Sequence, residues 1–417
     1  MLAIAGAAAL LGGCVSKTPF QCQQDEQCVS SGVAGRCELE GFCSFPDAEC
    51  EEGFRFGESA GDLSGECVSA DPVTTVCLAA QQLTIGSAHT CLLDVGGVVY
   101  CWGANFEGEL GDGTTISRSS PARVAGLPGT MTQVAAGDDA TCALDADGFV
   151  WCWGENDYGK LGTGGPATSD GEPEYRASPA VVLGLTGAIA ITVGDEHMCA
   201  VLADGTAKCW GSNSSGRLGR PGSSTSTPLN VVVDDERTPL SGVTAIAAGL
   251  EHTCVIVDGG VKCWGLGDEG QLGDGQLTTS NLPVDVVGLA GTAVALTAGN
   301  NHTCALTDSG QAFCWGANAD GQIGDGTVGD PSAVATLVGA GLAVASIEAG
   351  HAHTCARGDD STVYCWGDNS RGQLGNGDTE GQDVTAPIPV LDDSQLVAAG
   401  GRHSCAIDAS GSMQCWG

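Results

Sequence analysis

Short apolar runs recur along most of this chain, and none is long enough for a stable helix. In one representative stretch they cover Ala122 to Val124, Met131 to Ala135, Thr141 to Leu144 and Phe149 to Trp153. Turn formers separate them: Gly126, Pro128 and Gly129, then Gly137 to Asp139, then Asp145 to Gly148. Runs of this length with dense Gly, Pro and Asp punctuation predict four short strands joined by tight connections.

The same pattern returns seven times, each time with a Cys-Trp-Gly tripeptide, at Cys101, Cys152, Cys209, Cys263, Cys314, Cys365 and Cys415. A period of this size means one supersecondary unit copied in series. A lone four-stranded sheet has two apolar faces and hides neither, whereas seven packed radially hide both and protect most of their edges. The predicted fold is therefore all-β: a seven-bladed β-propeller of four-stranded blades over residues 71–417, preceded by a small disulfide-rich module. In this frame a unit starts at its Pro-containing run, such as Ser120-Pro121-Ala122. The first unit then starts at Asp71-Pro72-Val73, and the last ends at Trp416-Gly417 as its fourth strand.

Each Cys-Trp-Gly is preceded nine or ten residues upstream by another cysteine. Cys142 and Cys152 flank a turn centred on Asp147, and Asp258-Gly259 is a two-residue hairpin signal between Cys254 and Cys263. Both place the cysteines directly opposite each other, at a Cα separation of about 4.5 Å that a bridge spans. The expected disulfides are Cys91–Cys101, Cys142–Cys152, Cys199–Cys209, Cys254–Cys263, Cys304–Cys314, Cys355–Cys365 and Cys405–Cys415. A two-cysteine hairpin offers too few ligands for zinc. Each short loop adds under about 3 kcal/mol in the chain-entropy model. Seven such bridges belong outside the reducing cytosol.

Before the repeats, residues 14–70 form a Cys-rich segment containing Cys22, Cys28, Cys37, Cys43, Cys50 and Cys67. Six cysteines allow fifteen connectivities, and Cys77 is left over. The stretch FCSFPDAECEEGFRFGESAGDLSGECV resembles the Cys-rich spacer of myxobacterial surface lipoproteins, which implies a stalk. The apolar run Leu2 to Leu11 followed by Gly12-Gly13-Cys14 resembles a bacterial lipoprotein signal. That resemblance implies that residues 1–13 are removed, that Cys14 is lipidated, and that the protein is exported to the outer membrane or cell surface of a Gram-negative bacterium. No basic residue precedes the run, which points to a start further upstream. The run itself is too short to span a bilayer.

Fifty-one acidic residues against fifteen basic ones give a net charge of −36. Such a chain repels phosphate backbones and anionic membrane surfaces, so no nucleic-acid partner is expected, and membrane contact only through the lipid anchor. Solubility accounts for the charge more economically than a dedicated acidic docking face.

Aligned, the units share the pattern AAG..HTCAL...G.VYCWG.N..GQLGDGT. The fourth unit carries it as Gly249, His252, Thr253, Trp264, Gly265, Gly270, Leu272, Gly273 and Gly275. The fifth carries it as Gly299, His302, Thr303, Trp315, Gly316, Asn318, Gly321, Gly324 and Gly326. This resembles the repeat of the regulator of chromosome condensation (RCC1) family, over about residues 72–417, and implies a seven-bladed propeller. Nucleotide exchange on a nuclear GTPase, known in that family, does not suit an exported acidic protein. Secreted β-lactamase-inhibitory relatives with this propeller bind an enzyme through loops on one rim, which implies a binding role by analogy of fold.

Six units place a histidine two residues before the first cysteine: His89, His197, His252, His302, His353 and His403; the second unit has Ala140. A residue repeated in every unit serves the repeat, and the expected role is a ring nitrogen tying its blade to backbone near the axis. Asp112, Asp274 and Asp325 in Asp-Gly pairs are expected to form turns rather than calcium loops. The Cys-Trp-Gly tryptophans are expected to pack between blades. No nucleophile elbow, phosphate loop or two-histidine metal helix is present, so no enzyme activity, catalytic residue, metal or cofactor is expected. Function in a repeat array sits where units deviate. The longest link, Thr163 to Arg176, nominates Tyr175 and Arg176 for partner contact, and Arg220 to Arg237 is a second expanded link. The sequence reading is a monomeric cell-surface lipoprotein whose propeller binds a protein or other macromolecule. A secreted-type enzyme inhibitor, or an exported hydrolase or lyase with a site at the propeller mouth, stands as the alternative.

Overall fold

The computed structural model describes residues 79–164, 175–339, 342–378 and 381–417, with five short strands between residues 29 and 56. Residues 1–13, Cys14, the Asp71 start and Cys77 lie outside the described residues, as do Cys22, Cys28, Cys50 and Cys67. Cys37 and Cys43 stand opposite each other where Arg36–Cys37 pairs with Cys43–Pro46.

Seven antiparallel sheets follow one another from residue 80 to residue 416, six of four strands and a last one of three. Blade 1 is Ala80–Ile85, His89–Asp94, Val99–Gly103 and Arg118–Arg123. Its strand order follows the sequence from innermost to outer, and the later blades repeat it. The Cys-Trp-Gly strand is third in every blade, Met413–Trp416 included.

This corrects the sequence frame by one strand. The Pro-containing runs do not open their units; they close the preceding blade. Ala122 pairs with Cys101, and Ala180 with Cys152. Proline has no N–H to donate and settles on edge strands. Pro121, Pro179, Pro228, Pro283 and Pro387 all sit on the outer strand of a blade. Trp416 accordingly lies on a third strand, and blade 7 has no fourth strand among the described residues.

Within each blade the two cysteines are register partners and are bonded, with Cα atoms 4.1 Å apart. In blade 4 the hairpin turns through Asp258 (φ 52°) and Gly259 (φ 77°), the left-handed pair that a two-residue turn requires. The bridges also fill the space between blades. Cys142 and Cys152 of blade 2 pack in one buried cluster with Met198 and Trp210 of blade 3.

A polar chain fastens each blade to the next. His302 Nε2 lies 3.0 Å from the Thr354 hydroxyl of the following blade. That hydroxyl donates to the Gln322 carbonyl (3.1 Å), which also accepts from the Trp366 indole (2.9 Å). A carbonyl only accepts and the hydroxyl has one proton, so His302 must donate from Nε2 and leave Nδ1 unprotonated. Its Nδ1 is buried without a partner, as a bare lone pair requires least. The histidine thus ties its blade to a side chain of the next blade, not to backbone. The same contact joins His89 to Thr141, His197 to Thr253, His252 to Thr303 and His353 to Ser404, and His403 to Thr90 closes the ring.

One seam lacks the contact. Blade 2 has Ala140 in place of histidine, and blade 3 has Met198 in place of the hydroxyl residue. Both partners are missing together, so neither is left orphaned; the Met198 sulfur instead lies 3.2 Å from Cys142 Sγ. Removing one partner of a buried hydrogen bond costs roughly 1–3 kcal/mol, while replacing both costs less. His302→Ala and Thr354→Val are each expected to lower stability within that range. The double variant should lose less than the sum, by about 1 kcal/mol. Denaturant melts of all four proteins check this; strict additivity would remove the lock.

Candidate functional site

The innermost strands end at one mouth of the propeller axis. After the glycine that follows each innermost strand the chain turns, and the next residue is Ser87, Asp138, Asp195, Leu250, Asn300, His351 and Gly401 in blade order. All of these but Ser87, together with the seven glycines, line a cavity of about 80 Å³. At about 10–15 Å³ per water, it has room for several waters or one small polar group.

Glycine is needed at the entry because the histidine ring occupies the space beside it. A Cβ on Gly249 would overlap His252, and one on Gly299 would overlap His302. Burial holds the buried histidines neutral: His89 and His302 fall to about 4, and His252 and His353 to about 3.

Backbone bonds pass from blade to blade around this rim: Ser87 N to Asp138 O, Leu250 N to Asn300 O, Asn300 N to His351 O, His351 N to Gly400 O, and Gly401 N to Gly86 O. Among the described residues no such bond joins Asp138 to Asp195, or Asp195 to Leu250. The rim is therefore interrupted on both sides of blade 3, beginning at the seam that lacks the histidine contact.

Charge collects at the same sector. Asp138 of blade 2 meets His351 of blade 6 across the mouth, with Nε2 to Oδ1 at 2.9 Å. Burial works against the Asp138 carboxylate, but bonding to His351 prevails and lowers its pKa. Asp195 has no such partner, and burial followed by repulsion from Asp138 pushes it up to about 6. Lys160 is buried; its Nζ contacts the Glu155 carboxylate and donates to the Asp195 carbonyl at 2.8 Å. Arg217, also buried, bridges Glu196 (3.1 Å) and Glu251 (3.0 Å) on neighbouring blades. The two cations are buried while their carboxylates reach solvent, so removing a carboxylate would leave a buried charge uncompensated.

Sequence reasoning passed over Lys160, Arg217, Asp138 and His351. A signal existed: the Gly-x-Leu-Gly link carries Gln271 and Gln373 in its variable place, but Lys160 and Arg217 in two other links. Nothing in the sequence places Asp138 opposite His351, 213 positions away.

The nominated contact residues sit beside this sector. Tyr175 and Arg176 begin the outer strand of blade 2, where Tyr175 pairs with Glu155 and Arg176 with Gly154; both are exposed. They are strand residues, not loop residues, and residues 165–174 of that link lie outside the described residues. The second expanded link holds an outer strand, Thr225–Asn230, and a bridge from Val232 to Pro239. Asp112, Asp274 and Asp325 each accept a backbone N–H two residues ahead, which is turn chemistry. Among the described residues, no group of three or more His, Cys, Asp or Glu is placed to hold a metal ion. No helix among them is long and apolar enough to cross a membrane.

The model of the RCC1-like domain matches residues 53–391, and that of the regulator of chromosome condensation (RCC1) repeat matches residues 395–417. The ultraviolet-B receptor UVR8 of Arabidopsis thaliana is 31% identical over 363 residues, covering 84% of this chain and 80% of that protein. The E3 ubiquitin-protein ligase HERC2 of Homo sapiens is 30% identical over 366 residues, covering 84% of this chain but only 7% of the ligase. Among solved structures, Prp20p of Saccharomyces cerevisiae is similar with a TM-score of 0.66 and 23% identity, over 78% of this chain and 81% of that one.

The histidine values give a pH dependence. In the unfolded chain a histidine takes up its proton near 6.5. Folded, His89 and His302 stay neutral to about 4, and His252 and His353 to about 3. Between those values the unfolded state binds more protons, so stability falls as pH drops from 6.5 toward 3–4. Asp195, raised to about 6, and Glu348, raised by burial to about 7, act in the opposite sense. His197 and His403 are lowered as well, and Glu107, Glu109, Asp139 and Asp320 are raised less than Asp195 and Glu348, so the histidines outweigh the carboxyls. Thermal melts should show Tm falling from pH 6.5 to 4, and falling less in His302→Gln; a flat profile contradicts the neutral assignment.

Proposed function

The chain belongs to the RCC1 repeat family, and from that footing we propose that it is an exported, protein-binding scaffold. The observation that carries this reading is the concentration of departures from repeat symmetry in one sector. Blades 2 and 3 lack the histidine contact and interrupt the rim, and blade 2 carries both the buried Lys160 and the longest connection from a third to an outer strand. A repeat array that served only its own stability would have no reason to gather its irregularities in one place.

Relatives bear on the class of partner. Yeast Prp20p has binding properties toward Gsp1p and histones, and yeast RCC1 is bound by Kap60. Those partners are proteins, and a protein partner is the reading carried over here. An acidic surface and a net charge of −36 speak against nucleic acid. Disulfides in all seven blades fit an oxidising compartment. We place the protein at the outer membrane or cell surface, held through a lipidated Cys14 with residues 14–70 as stalk.

Chemical cross-linking on intact cells tests both parts. Wild type is expected to capture a defined protein, and a variant lacking residues 165–174 to lose it by at least tenfold while keeping its melting temperature. Cys14→Ser should release the protein from the membrane fraction. Turnover of a glycan or peptide library by the purified wild type would overturn the scaffold reading, and reduced cysteines in protein isolated from cells would overturn export.

A further inference from the structure

The connection from the third to the outer strand of blade 1 exposes two large apolar side chains, one of them aromatic, where the same connections of blades 4 and 5 expose a single aliphatic one, Leu277 and Val328. Phe106 is 75% exposed and Ile116 is 66% exposed. The places equivalent to Phe106 in the other five links hold Asp157, Ser214, Asp268, Ala319 and Ser370, all small or polar. The exposure is not slack in the chain. Buried Asn105 closes the link on itself: its Oδ1 accepts from Leu110 N (2.9 Å), and its Nδ2 donates to the carbonyls of Thr114 (3.0 Å) and Ile116 (3.1 Å). The link is also clamped onto blade 2. Gly113 N donates to the Ala177 carbonyl at 2.8 Å, and Gly108, at φ 81°, lies so close to Ala177 that a Cβ would overlap it. Ala177 is two residues from Tyr175, itself 46% exposed. Alternation along the strand puts Tyr175 and Ala177 on one face and Arg176 on the other.

Carboxylates lie beside these anchors: Glu107 follows Phe106, and Glu155 is the register partner of Tyr175. Burial raises the Glu107 pKa, and the negative charges of Glu155, Asp139 and Asp157 raise it further. Asp139 is raised by burial and then by Glu155. The cation that opposes them, Lys160, is already committed to Glu155 and the Asp195 carbonyl. Arg118 is committed to Asp112. Arg176, the remaining cation beside Tyr175, lies on the other face of its strand, so rigid apolar anchors next to carboxylates match a partner that brings both an apolar side chain and positive charge.

Resting on the scaffold reading, we propose that this corner of blades 1 and 2 docks a basic amphipathic segment of a protein partner. The apolar side chain of that segment packs on Phe106 and Tyr175, and a lysine or arginine beside it meets Glu107 and Asp157. Rim charges of this kind make association faster and salt-dependent, while the apolar anchors set residence time.

A random dodecapeptide display library, panned against the full chain at physiological salt, tests this. Enriched peptides are expected to combine net positive charge with at least one large apolar residue. Synthesised, they should bind Phe106→Ser/Tyr175→Ser at least tenfold more weakly than wild type, and Glu107→Gln/Asp157→Asn with a shallower salt dependence. Melting temperatures should be unchanged, because none of the four side chains belongs to the histidine, hydroxyl, indole and carbonyl contacts between blades. Enriched peptides of neutral or negative charge, binding within twofold on Phe106→Ser/Tyr175→Ser, or no enrichment at all would each overturn the proposal. A cross-linked partner that persists on this variant but is lost without residues 165–174 leaves the scaffold standing and removes only this surface.

Discussion

One carbonyl per link holds the ring together. The main-chain oxygens of Glu109, Arg217, Gln271, Gln322 and Gln373 each accept two bonds from the following blade, one from an indole and one from a hydroxyl. The hydroxyl is in turn held by the histidine of the blade before. Each link, running from the third to the outer strand of one blade, is thereby fastened to the next blade through groups that burial leaves no other way to satisfy. Tryptophan, threonine and histidine recur because each supplies one donor to this chain. The disulfide beside them keeps their two strands in register, since a slip of one residue would turn every one of these side chains to the wrong face.

The interruption of this scheme between blades 2 and 3 follows the same physics. A buried hydroxyl without its histidine, or a histidine without its hydroxyl, costs more than the loss of both. Ala140 and Met198 therefore occur as a pair, and Trp210 still donates to the Lys160 carbonyl. The seam keeps its apolar packing and its indole bond and gives up only the directional polar contact. In the same sector the rim loses its backbone bonds and gains charged side chains. The repeat's own polar fastening is weakest there, which is where a repeat protein is free to carry residues chosen for something else.

Much of this was legible from the chain. The blade count, the pairing of cysteines within hairpins and the turn role of the Asp-Gly pairs depend on local spacing, and local spacing is what a sequence records. The frame of the repeat was not: Ser120-Pro121-Ala122 reads equally well as the start of one unit or the end of another. The preference of proline for an edge decides it only once the edges are known. Recurrence marks the histidine as structural, but its partner is not legible, because the hydroxyl it meets is about one repeat away in sequence.

Strand periodicity, hairpin turns and repeat length were set by interactions between residues a few positions apart, so the sequence alone carried them. Ring closure was of another kind. It brings His403 to Thr90, Asp138 to His351, and the Phe106 link onto Ala177. None of these pairs shares a local pattern, because a closed ring makes neighbours of residues whose distance along the chain is arbitrary. Which side chains face the axis, which cations are already spent, and which apolar residues stay exposed were therefore decided only when the blades packed.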